Sequence, residues 1–195
     1  MKKSSTINYY DQNTPLFIAN TIALDLSDIY ARFLKYLPAS ASICDVGCGA
    51  GRDMLAFAKK GHRVLGIEPS AKLAAFAKAH SGQQVCNCSL LEFMSPENFD
   101  AIWACASLLH FSRKELPEVF LKLKSMLKSD GVIYCSFKLG DFEGEKEDGR
   151  YFTSFSEADF GELAKKINAT ILDQWVSVDL RPKNTGQWLN IICGL

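Results

Sequence analysis

Three glycines at alternate positions, set between an apolar run and a helical pattern, form the most chemically informative segment of this chain. Residues 43–53 read Ile-Cys-Asp-Val-Gly-Cys-Gly-Ala-Gly-Arg-Asp, so that Asp45 precedes Gly47, Gly49 and Gly51. A glycine allows a ligand to approach the backbone where a side chain would block it. The start of a following helix offers unpaired N–H groups. The segment therefore predicts a strand, a turn and a helix N-terminus that together bind a nucleotide-like ligand.

The spacing of the glycines discriminates between nucleotide ligands. The dinucleotide pattern G-x-G-x-x-G would place its third glycine at position 52, where this chain has Arg52. The third glycine falls one residue earlier, at Gly51. An NAD-dependent oxidoreductase is therefore disfavoured, although tight binding of NAD would restore that hypothesis.

An acidic residue follows the next apolar run at the distance that a ribose requires. Glu68 lies 21 residues after Gly47, close to where an acid reaches the ribose hydroxyls in nucleotide-binding βαβ units. A carboxylate can accept hydrogen bonds from both hydroxyls. The alternative is a surface acid that is stabilised by the start of a helix. The position together with the glycine turn favours the ribose role.

Short apolar strands alternate with helical patterns along most of the chain. This alternation is typical of right-handed βαβ units and a parallel sheet, in which ligands bind at the carboxyl ends of the strands. The glycine turn, Glu68, residues 88–90 and residues 104–110 would lie at those ends. The predicted elements up to residue 137 are a helix over 15–36 that Pro38 ends, strand 42–46, helix 52–60, strand 63–67, helix 70–80, strands 84–88 and 99–104, helix 113–128 with a capping box at Ser112 and Glu115, and strand 132–137.

The two ends of the chain depart from this alternation. Residues 1–14 are polar and are predicted to be a mobile arm, and residues 138–153, rich in glycine and charge, are predicted to be a solvated loop or a flap over the site. A last helix is expected from Ser156 to about residue 167. Strands 169–179 and 187–193 would then pair across a turn.

Composition limits the class of protein. The chain has 195 residues, 48% of them apolar, and 22 Lys and Arg against 22 Asp and Glu, which favours one globular domain and argues against a chain-wide nucleic-acid surface. The seven cysteines form no C-x-x-C pair, so no metal site is predicted, and free thiols indicate a reducing, cytoplasmic location. The first residues do not read as a signal peptide, and no apolar run approaches the length of a membrane span.

The order of elements over residues 40–137, with D-x-G-x-G-x-G at Asp45–Gly51, resembles the class I S-adenosylmethionine-dependent methyltransferases. The variant Gly-Cys-Gly-Ala-Gly-Arg-Asp, followed by Gly61-His62-x-Val64-x-Gly66, is similar to small bacterial methyltransferases of the tellurite-resistance type. The resemblance implies a single α/β domain over residues 1–195, with a three-layer Rossmann-like fold. It further implies a seven-stranded, mostly parallel sheet whose last strand is antiparallel.

The resemblance also implies a set of cofactor contacts. Asp45, Gly47 and Gly49, with Cys48 between them, would line the methionine and ribose end of S-adenosylmethionine. The remaining residues that would contact the cofactor are Glu68, Pro69, Ser89, Leu90, Trp103, Ala104 and an aromatic of the arm, Tyr10, which would fold over it unless the arm is a mobile tail. The stretch Asn87–Leu90 departs from many relatives, which place there an Asp that accepts the adenine amino group. Ser89 or the backbone would serve instead.

Candidate acceptor residues lie after the fourth strand and near the C-terminus. His110 could act as a general base, but methyl transfer depends mainly on in-line orientation, so a pocket-shaping role is favoured. Arg181 could hold an anionic substrate through two hydrogen bonds, and Trp103 or Trp188 could form an aromatic wall. The alternative is an ion pair between Asp179 and Arg181 with tryptophans in the core.

These observations predict methyl transfer from S-adenosylmethionine to a small molecule, with S-adenosylhomocysteine as the product. A non-catalytic S-adenosylmethionine-binding module with a regulatory or scaffold role stays open, because no catalytic residue is unambiguous. Neither nucleic acid nor a membrane is an expected partner, and the pattern makes no prediction of oligomeric state.

Overall fold

The computed structural model describes residues 2–181 and 184–195, with side chains from Ser5 onward, so Pro182 and Lys183 of the predicted turn lie outside the described residues. The helices are α1 Lys2–Gln12, α2 Thr14–Thr21, α3 Ser27–Leu34, α4 Arg52–Lys59, α5 Ala71–Ser81, α6 Leu116–Ser125 and α7 Glu157–Lys166. The strands are β1 Ser42–Val46, β2 Arg63–Ile67, β3 Gln84–Cys86, β4 Phe99–Ala104, β5 Leu127–Lys138, β6 Glu143–Glu145, β7 Tyr151–Thr153, β8 Thr170–Val178 and β9 Gln187–Gly194.

Seven strands form one sheet in the order β3-β2-β1-β4-β5-β9-β8. Neighbouring strands among β1 to β5 pair in parallel, whereas β9 is antiparallel to both β5 and β8. The last strand of the chain is therefore the antiparallel one, as predicted. The carboxyl ends of β1, β2, β4 and β5 meet along one edge of the sheet, which places the glycine turn and Glu68 side by side.

Helices cover both faces of the sheet and bury two apolar clusters. On one face α3 and α4 bury Tyr30, Phe33 and Phe57 against the sheet residues Trp103 and Tyr134. On the other face the cluster is built on α6 and α7 and on the opposite sides of the same strands. The alternation of side chains along a strand assigns each residue to one of these faces. The predicted three-layer arrangement is confirmed.

Most predicted elements up to β5 are confirmed. Helix α5 is N-capped by Ser70, whose hydroxyl accepts from the Leu73 N–H at 3.2 Å. The capping box at Ser112 and Glu115 forms its hydrogen bonds, but it closes a turn ahead of α6, which begins only at Leu116. The predicted strand 132–137 is longer, since β5 begins at residue 127.

The N-terminal segment is more regular than a polar arm. Residues 1–14 are predicted to be a mobile arm, and residues 2–12 form the helix α1, which contacts α5 and β7. The single helix expected over 15–36 is two helices, because the chain breaks after Thr21. The break is stabilised locally. The Thr21 carbonyl accepts from Arg52 at 3.2 Å, and the Asp25 carboxylate accepts from the Ser27 N–H at 2.9 Å at the start of α3.

Residues 138–153 are not an irregular loop. Their central part folds into an antiparallel hairpin of β6 and β7, with Glu145 opposite Tyr151. The Tyr151 N–H donates to the Thr6 hydroxyl at 3.1 Å, so the hairpin packs against α1. The predicted pair of final strands and the last helix are confirmed, the latter with a capping box at Ser156 and Asp159.

All seven cysteines are unpaired. Within the described ranges, none of the helices combines the length and the apolar character that crossing a bilayer would demand.

Candidate functional site

A cavity of roughly 1110 Å³ opens at the carboxyl edge of the parallel strands. One end is formed by the glycine turn, the end of β2 and residues 89–90, and we call it the cofactor end. The other end is formed by the end of β5, the β6–β7 hairpin and the strands β8 and β9 where they meet, and we call it the acceptor end. Helices α1 and α2 cover the region between the two ends.

The glycine turn has the backbone conformation that only glycine adopts readily. Gly47, Gly49 and Gly51 have φ values of 71°, 55° and 76°. The Gly47 N–H donates to the Ile67 carbonyl at 2.8 Å, which holds the turn against the end of β2. A Cβ atom on Gly47 would lie 2.5 Å from Cβ of Ser107, so the turn is also closed from below by the segment that follows β4.

Glu68 is buried beside this turn, with 5% of its surface exposed. Its two carboxylate oxygens accept from the N–H groups of Gly49 and Ser70, each at 2.9 Å. Burial raises the pKa of Glu68 to about 7, although the two N–H groups lower it. A carboxylate has about four acceptor positions, so two stay available to hydroxyl donors from the cavity.

Pro69, Ser89 and Leu90 line the cavity next to Glu68, where the adenine contacts were expected. The Ser89 hydroxyl already donates to the Glu92 carboxylate at 2.6 Å. The Asn87 amide donates to the carbonyls of Glu68 and Pro69 at 2.9 and 3.1 Å and so fixes the wall from behind.

Three residues predicted to contact the cofactor do not line the cavity. Asp45 and Trp103 are opposite each other in the β1–β4 register, and both are buried, as is Ala104. The Trp103 indole lies in the aromatic cluster of α3 and α4 and stacks on Tyr134 with ring centroids 3.9 Å apart. Burial of so large an apolar ring outweighs a place in a polar cleft. One carboxylate oxygen of Asp45, Oδ2, has no hydrogen-bond partner among the described residues. Burial raises the pKa of the Asp45 carboxyl group.

Asp53 at the start of α4 is the centre of a buried polar network. It accepts from Tyr30 Oη at 2.5 Å and from Trp103 Nε1 at 2.8 Å, and it pairs with Arg52, whose Nε lies 2.6 Å from its Oδ1. Burial alone would raise the pKa of Asp53, but Arg52 and these hydrogen bonds outweigh it and lower the pKa. Arg52 and Asp53 thus stabilise the start of α4. Sequence patterns carried no signal of the distant partners Tyr30 and Trp103.

Tyr10 and His110 meet in the roof of the cavity. Nδ1 of His110 lies 2.7 Å from the Tyr151 carbonyl oxygen and donates to it, so Nε2 accepts from the Tyr10 hydroxyl at 2.9 Å. Burial lowers the pKa of His110 to about 4. The ring is therefore neutral near pH 7 with both nitrogens engaged, which supports a pocket-shaping role over that of a free base.

The acceptor end contains the predicted Arg181 and Trp188 together with a lysine that sequence reasoning missed. The Asp179 side chain accepts from Arg181 Nη2 at 2.6 Å and from Lys138 Nζ at 2.5 Å. Nζ of Lys138 also lies 4.0 Å from the centre of the Trp188 ring. These residues come from β5 and from both sides of the β8–β9 turn. Only the antiparallel position of β9 beside β5 brings them together.

Arg150 is a second cation missed at the acceptor end. It forms two hydrogen bonds to the Asp148 carboxylate, at 3.1 and 2.6 Å, and its guanidinium lies 4.2 Å from the centre of the Tyr9 ring. The glycine-rich and charged sequence of residues 138–153 predicts a solvated loop or a flap. The β6–β7 hairpin that forms there directs the Arg150 side chain to the cavity.

Sequence comparison matches residues 43–131 to the family model described as a methyltransferase domain. The chain is 35% identical over 115 residues to a ubiquinone biosynthesis O-methyltransferase of Nitrobacter winogradskyi, a segment that covers 56% of this chain and 42% of that enzyme. It is 28% identical over 151 residues to an uncharacterized methyltransferase of Schizosaccharomyces pombe, with 69% and 54% of the two chains covered. The chain spans less than half the length of the ubiquinone enzymes that it matches.

Comparison of folds finds the 1,6-didemethyltoxoflavin-N1-methyltransferase of Burkholderia thailandensis, whose structure holds 1,6-didemethyltoxoflavin and S-adenosylhomocysteine. The TM-score is 0.79 with 21% sequence identity, and the match covers 97% of this chain and 85% of that one. The sequence match over the glycine turn and the whole-chain match of the fold agree. Residues 43–131 thus match a methyltransferase domain, and the whole chain shares the fold of S-adenosylmethionine-dependent methyltransferases of known structure.

Proposed function

We propose that this protein transfers the methyl group of S-adenosylmethionine to a small-molecule acceptor. The observation that carries the proposal is the juxtaposition of the left-handed glycine turn with the buried Glu68 carboxylate, which accepts from the Gly49 N–H at 2.9 Å. Glycines without side chains leave room for a ligand at the backbone, and the carboxylate keeps acceptor positions for two hydroxyls.

The residues of the cofactor end fit the parts of this cofactor. Glu68 would bind the ribose, Pro69 and Leu90 would contact the adenine, and Gly47 and Cys48 would lie along the methionine part. Ser89 has its hydroxyl engaged with Glu92, so its backbone would contact the adenine edge. Asp45, Trp103 and Ala104 would support this end from behind the wall, without touching the ligand.

The size of the cavity supports a second, small ligand. Small-molecule sites are commonly about 300–1000 Å³, and the roughly 1110 Å³ found here would accommodate a nucleoside cofactor with an acceptor beside it. The acceptor end combines aromatic side chains with a few polar ones, as small-molecule sites commonly do. The O-methyltransferase relatives and the N-methyltransferase neighbour are named for small-molecule reactions, and these names support the same substrate class.

The chemistry requires orientation more than proton transfer. S-adenosylmethionine supplies an activated methyl group on a sulfonium, so a nucleophile held in line can attack without a strong base. Tyr10, fixed by His110, would close the roof above the reacting atoms and exclude water. His110 would act as a positioning residue. The similarity to the tellurite-resistance type and a cytoplasmic location stay predictions from the sequence.

Two measurements on the full chain test the proposal. Isothermal titration calorimetry is expected to show S-adenosylhomocysteine binding at one site per chain, with NAD as the negative control. Incubation with methyl-labelled S-adenosylmethionine and a panel of phenols, amines, thiols and aromatic acids is expected to label at least one compound. No binding of S-adenosylhomocysteine would overturn the proposal, and binding without transfer to any compound would favour the non-catalytic module.

A further inference from the structure

Positive charge exceeds negative charge at the acceptor end of the cavity. Three cations line it, Lys138, Arg150 and Arg181, and they face the two carboxylates Asp148 and Asp179. Lys146 and Glu147 also line the cavity, and this further pair leaves the excess unchanged. One positive charge therefore has no compensating charge of its own among the described residues of this wall.

The excess arises because two cations share one carboxylate. All the acceptor positions of Asp179 are used: Oδ1 accepts from the backbone N–H and Nε of Arg181 at 3.1 and 3.0 Å, and Oδ2 accepts from Arg181 Nη2 and Lys138 Nζ. The Asp179 side chain is 2% exposed. It can hold the two cations in place, but it has no capacity to bind a ligand.

The cations, in contrast, keep donors for a ligand. An ammonium has three N–H groups, and among the described residues Asp179 is the one hydrogen-bond acceptor of Lys138. Arg181 reaches Asp179 through Nε and Nη2, which leaves the N–H groups of Nη1 without an acceptor in the described part of the chain. The two side chains are 24% and 34% exposed, so these donors are within reach of a molecule in the cavity.

Aromatic rings lie beside two of the three cations, Lys138 and Arg150. Trp188 lies beside Lys138 with its ring centre 4.0 Å from Nζ, and Phe152 lies 4.9 Å from the Arg150 guanidinium on the hairpin side. Both rings line the cavity. Charged donors and aromatic rings in the same cavity suit a ligand that combines an anionic group with a planar body.

We propose that the methyl acceptor is a small aromatic acid, whose carboxylate is bound by Lys138 and Arg181 and whose ring lies beside Trp188. This inference rests on the proposed methyl transfer for the identity of the second ligand. The recognition itself depends on the acceptor end alone. Asp179 serves as the anchor that holds both cations toward the cavity.

The test compares each acid with its neutral amide on the full chain, with and without saturating S-adenosylhomocysteine. The pairs are benzoate and benzamide, 4-hydroxybenzoate and 4-hydroxybenzamide, and indole-3-carboxylate and indole-3-carboxamide, titrated by calorimetry. At least one acid is expected to bind ten times more tightly than its amide. If no acid is preferred over its amide, the proposal is overturned.

Two variants assign the preference to the two cations. Arg181→Gln and Lys138→Gln each leave one cation on Asp179, and each is expected to reduce affinity for the acid about tenfold without changing affinity for the amide or for S-adenosylhomocysteine. Arg63→Gln is the matched control, since that guanidinium is 65% exposed and pairs with Glu97 on the surface. A preference that survives both variants would contradict the proposal.

The two proposals fail separately. If S-adenosylhomocysteine does not bind, methyl transfer is refuted, while the comparison of acids and amides without it still reports on the anion site. If S-adenosylhomocysteine binds and no acid is preferred, methyl transfer stands and only the acceptor class is overturned.

Discussion

Two aspartates, one at each end of the cavity, are both almost fully buried and both hold an arginine, yet they are placed for different purposes. Asp53 binds the adjacent Arg52 together with Tyr30 and Trp103, which belong to the apolar core. Asp179 binds Lys138 and Arg181, which line the cavity and are partly exposed to solvent.

The difference shows how the same ion pair can stabilise a fold or prepare a site. Around Asp53 two partners, Tyr30 and Trp103, belong to the core, and Arg52 also donates to the Thr21 carbonyl, so the network fixes the helix that follows the glycine turn. Around Asp179 the partners keep donors that face the cavity, so the network presents charge to a ligand. The cofactor end is consequently made mostly of backbone and core, whereas the acceptor end is made of side chains.

Neutralising Asp53 is expected to have the largest effect. Asp53→Asn leaves the partly buried Arg52 without its counter-charge, and removing one partner of a buried pair costs about 3–5 kcal/mol, so a loss near the lower end of this range is expected. Urea denaturation of the variant should show this loss in the free energy of unfolding. Glu97→Gln, which breaks an exposed pair with Arg63, serves as control and should change stability by under ~1 kcal/mol. Equal effects of the two variants would refute the structural role of Asp53.

Adding one methyl group to the glycine turn should abolish cofactor binding while leaving the acceptor end intact. In Gly47→Ala the new Cβ would lie 2.5 Å from Cβ of Ser107 at a φ of 71°, so the turn must change shape. We expect affinity for S-adenosylhomocysteine to fall at least about 100-fold, or ~2.7 kcal/mol. Gly161→Ala in α7 meets nothing within 4 Å and should bind normally with slightly higher stability. Unchanged binding by Gly47→Ala would contradict the assignment of this turn.

Neutralising Asp179 is expected to cost less than neutralising Asp53, about 1–2 kcal/mol at pH 7, because Lys138 and Arg181 keep contact with water. Burial opposes ionisation of Asp179, but its hydrogen bonds from Arg181 and Lys138 prevail and lower its pKa. The stabilisation is therefore fully present above the unfolded-state pKa near 3.9, begins to decline below it, and is lost as the pH falls through the lower folded-state pKa. Denaturation of wild type and Asp179→Asn at several pH values should show the difference shrinking toward pH 3. A difference that is constant with pH would contradict the role of this charge.

The pH dependence of cofactor binding should report on Glu68. With its pKa raised to about 7, the group is mostly protonated at pH 6 and mostly ionised at pH 8, and only the ionised form offers all its acceptors to the ribose. Affinity for S-adenosylhomocysteine is expected to rise about tenfold over this range, or ~1.4 kcal/mol. Because the folded state holds this proton more tightly than the unfolded state does, Glu68 should lower the stability of the free protein as the pH rises from about 4.3 to 7. Glu68→Gln should remove both trends, and their persistence would exclude Glu68 as their source.

The smallest effect is expected at His110, between the two ends. If this residue positions Tyr10, His110→Gln and Tyr10→Phe should each reduce kcat by less than about tenfold and leave the pH profile of kcat unchanged. A general base would contribute about 100-fold to 10,000-fold. Steady-state kinetics with the first acceptor identified would distinguish the two roles, and a new pH dependence in His110→Gln alone would support the base.

The fold and the cofactor end were accessible from sequence because their determinants are local. The run Asp45–Gly51 and the alternation of strands and helices both depend on neighbours a few residues apart. Where the structure differs from the prediction, tertiary contacts decided the outcome. Residues 2–12 show no strong amphipathic pattern, and their helix is fixed by contacts of Tyr10 with His110 and of Asp11 with Ser70.

The acceptor end was only partly predictable. Arg181 and Asp179 are two residues apart and could be expected to pair, whereas Lys138 is 41 residues from Asp179 and reaches it only through the β5–β9 pairing. Trp103 shows the opposite case. A residue at the end of a strand is predicted to line the cavity, but the ring of Trp103 packs in the core. No local sequence pattern distinguishes the two faces of β4.

Helix α1 contacts both ends of the cavity at once. Its Asp11 carboxylate accepts from the Ser70 hydroxyl at 2.6 Å at the cofactor end, while Thr6 accepts from the Tyr151 N–H at 3.1 Å on the hairpin. A rigid movement of α1 that opened one end would also break its contacts at the other end. We therefore expect binding at the two ends to be thermodynamically linked, in which case each ligand would alter the affinity for the other by the same factor.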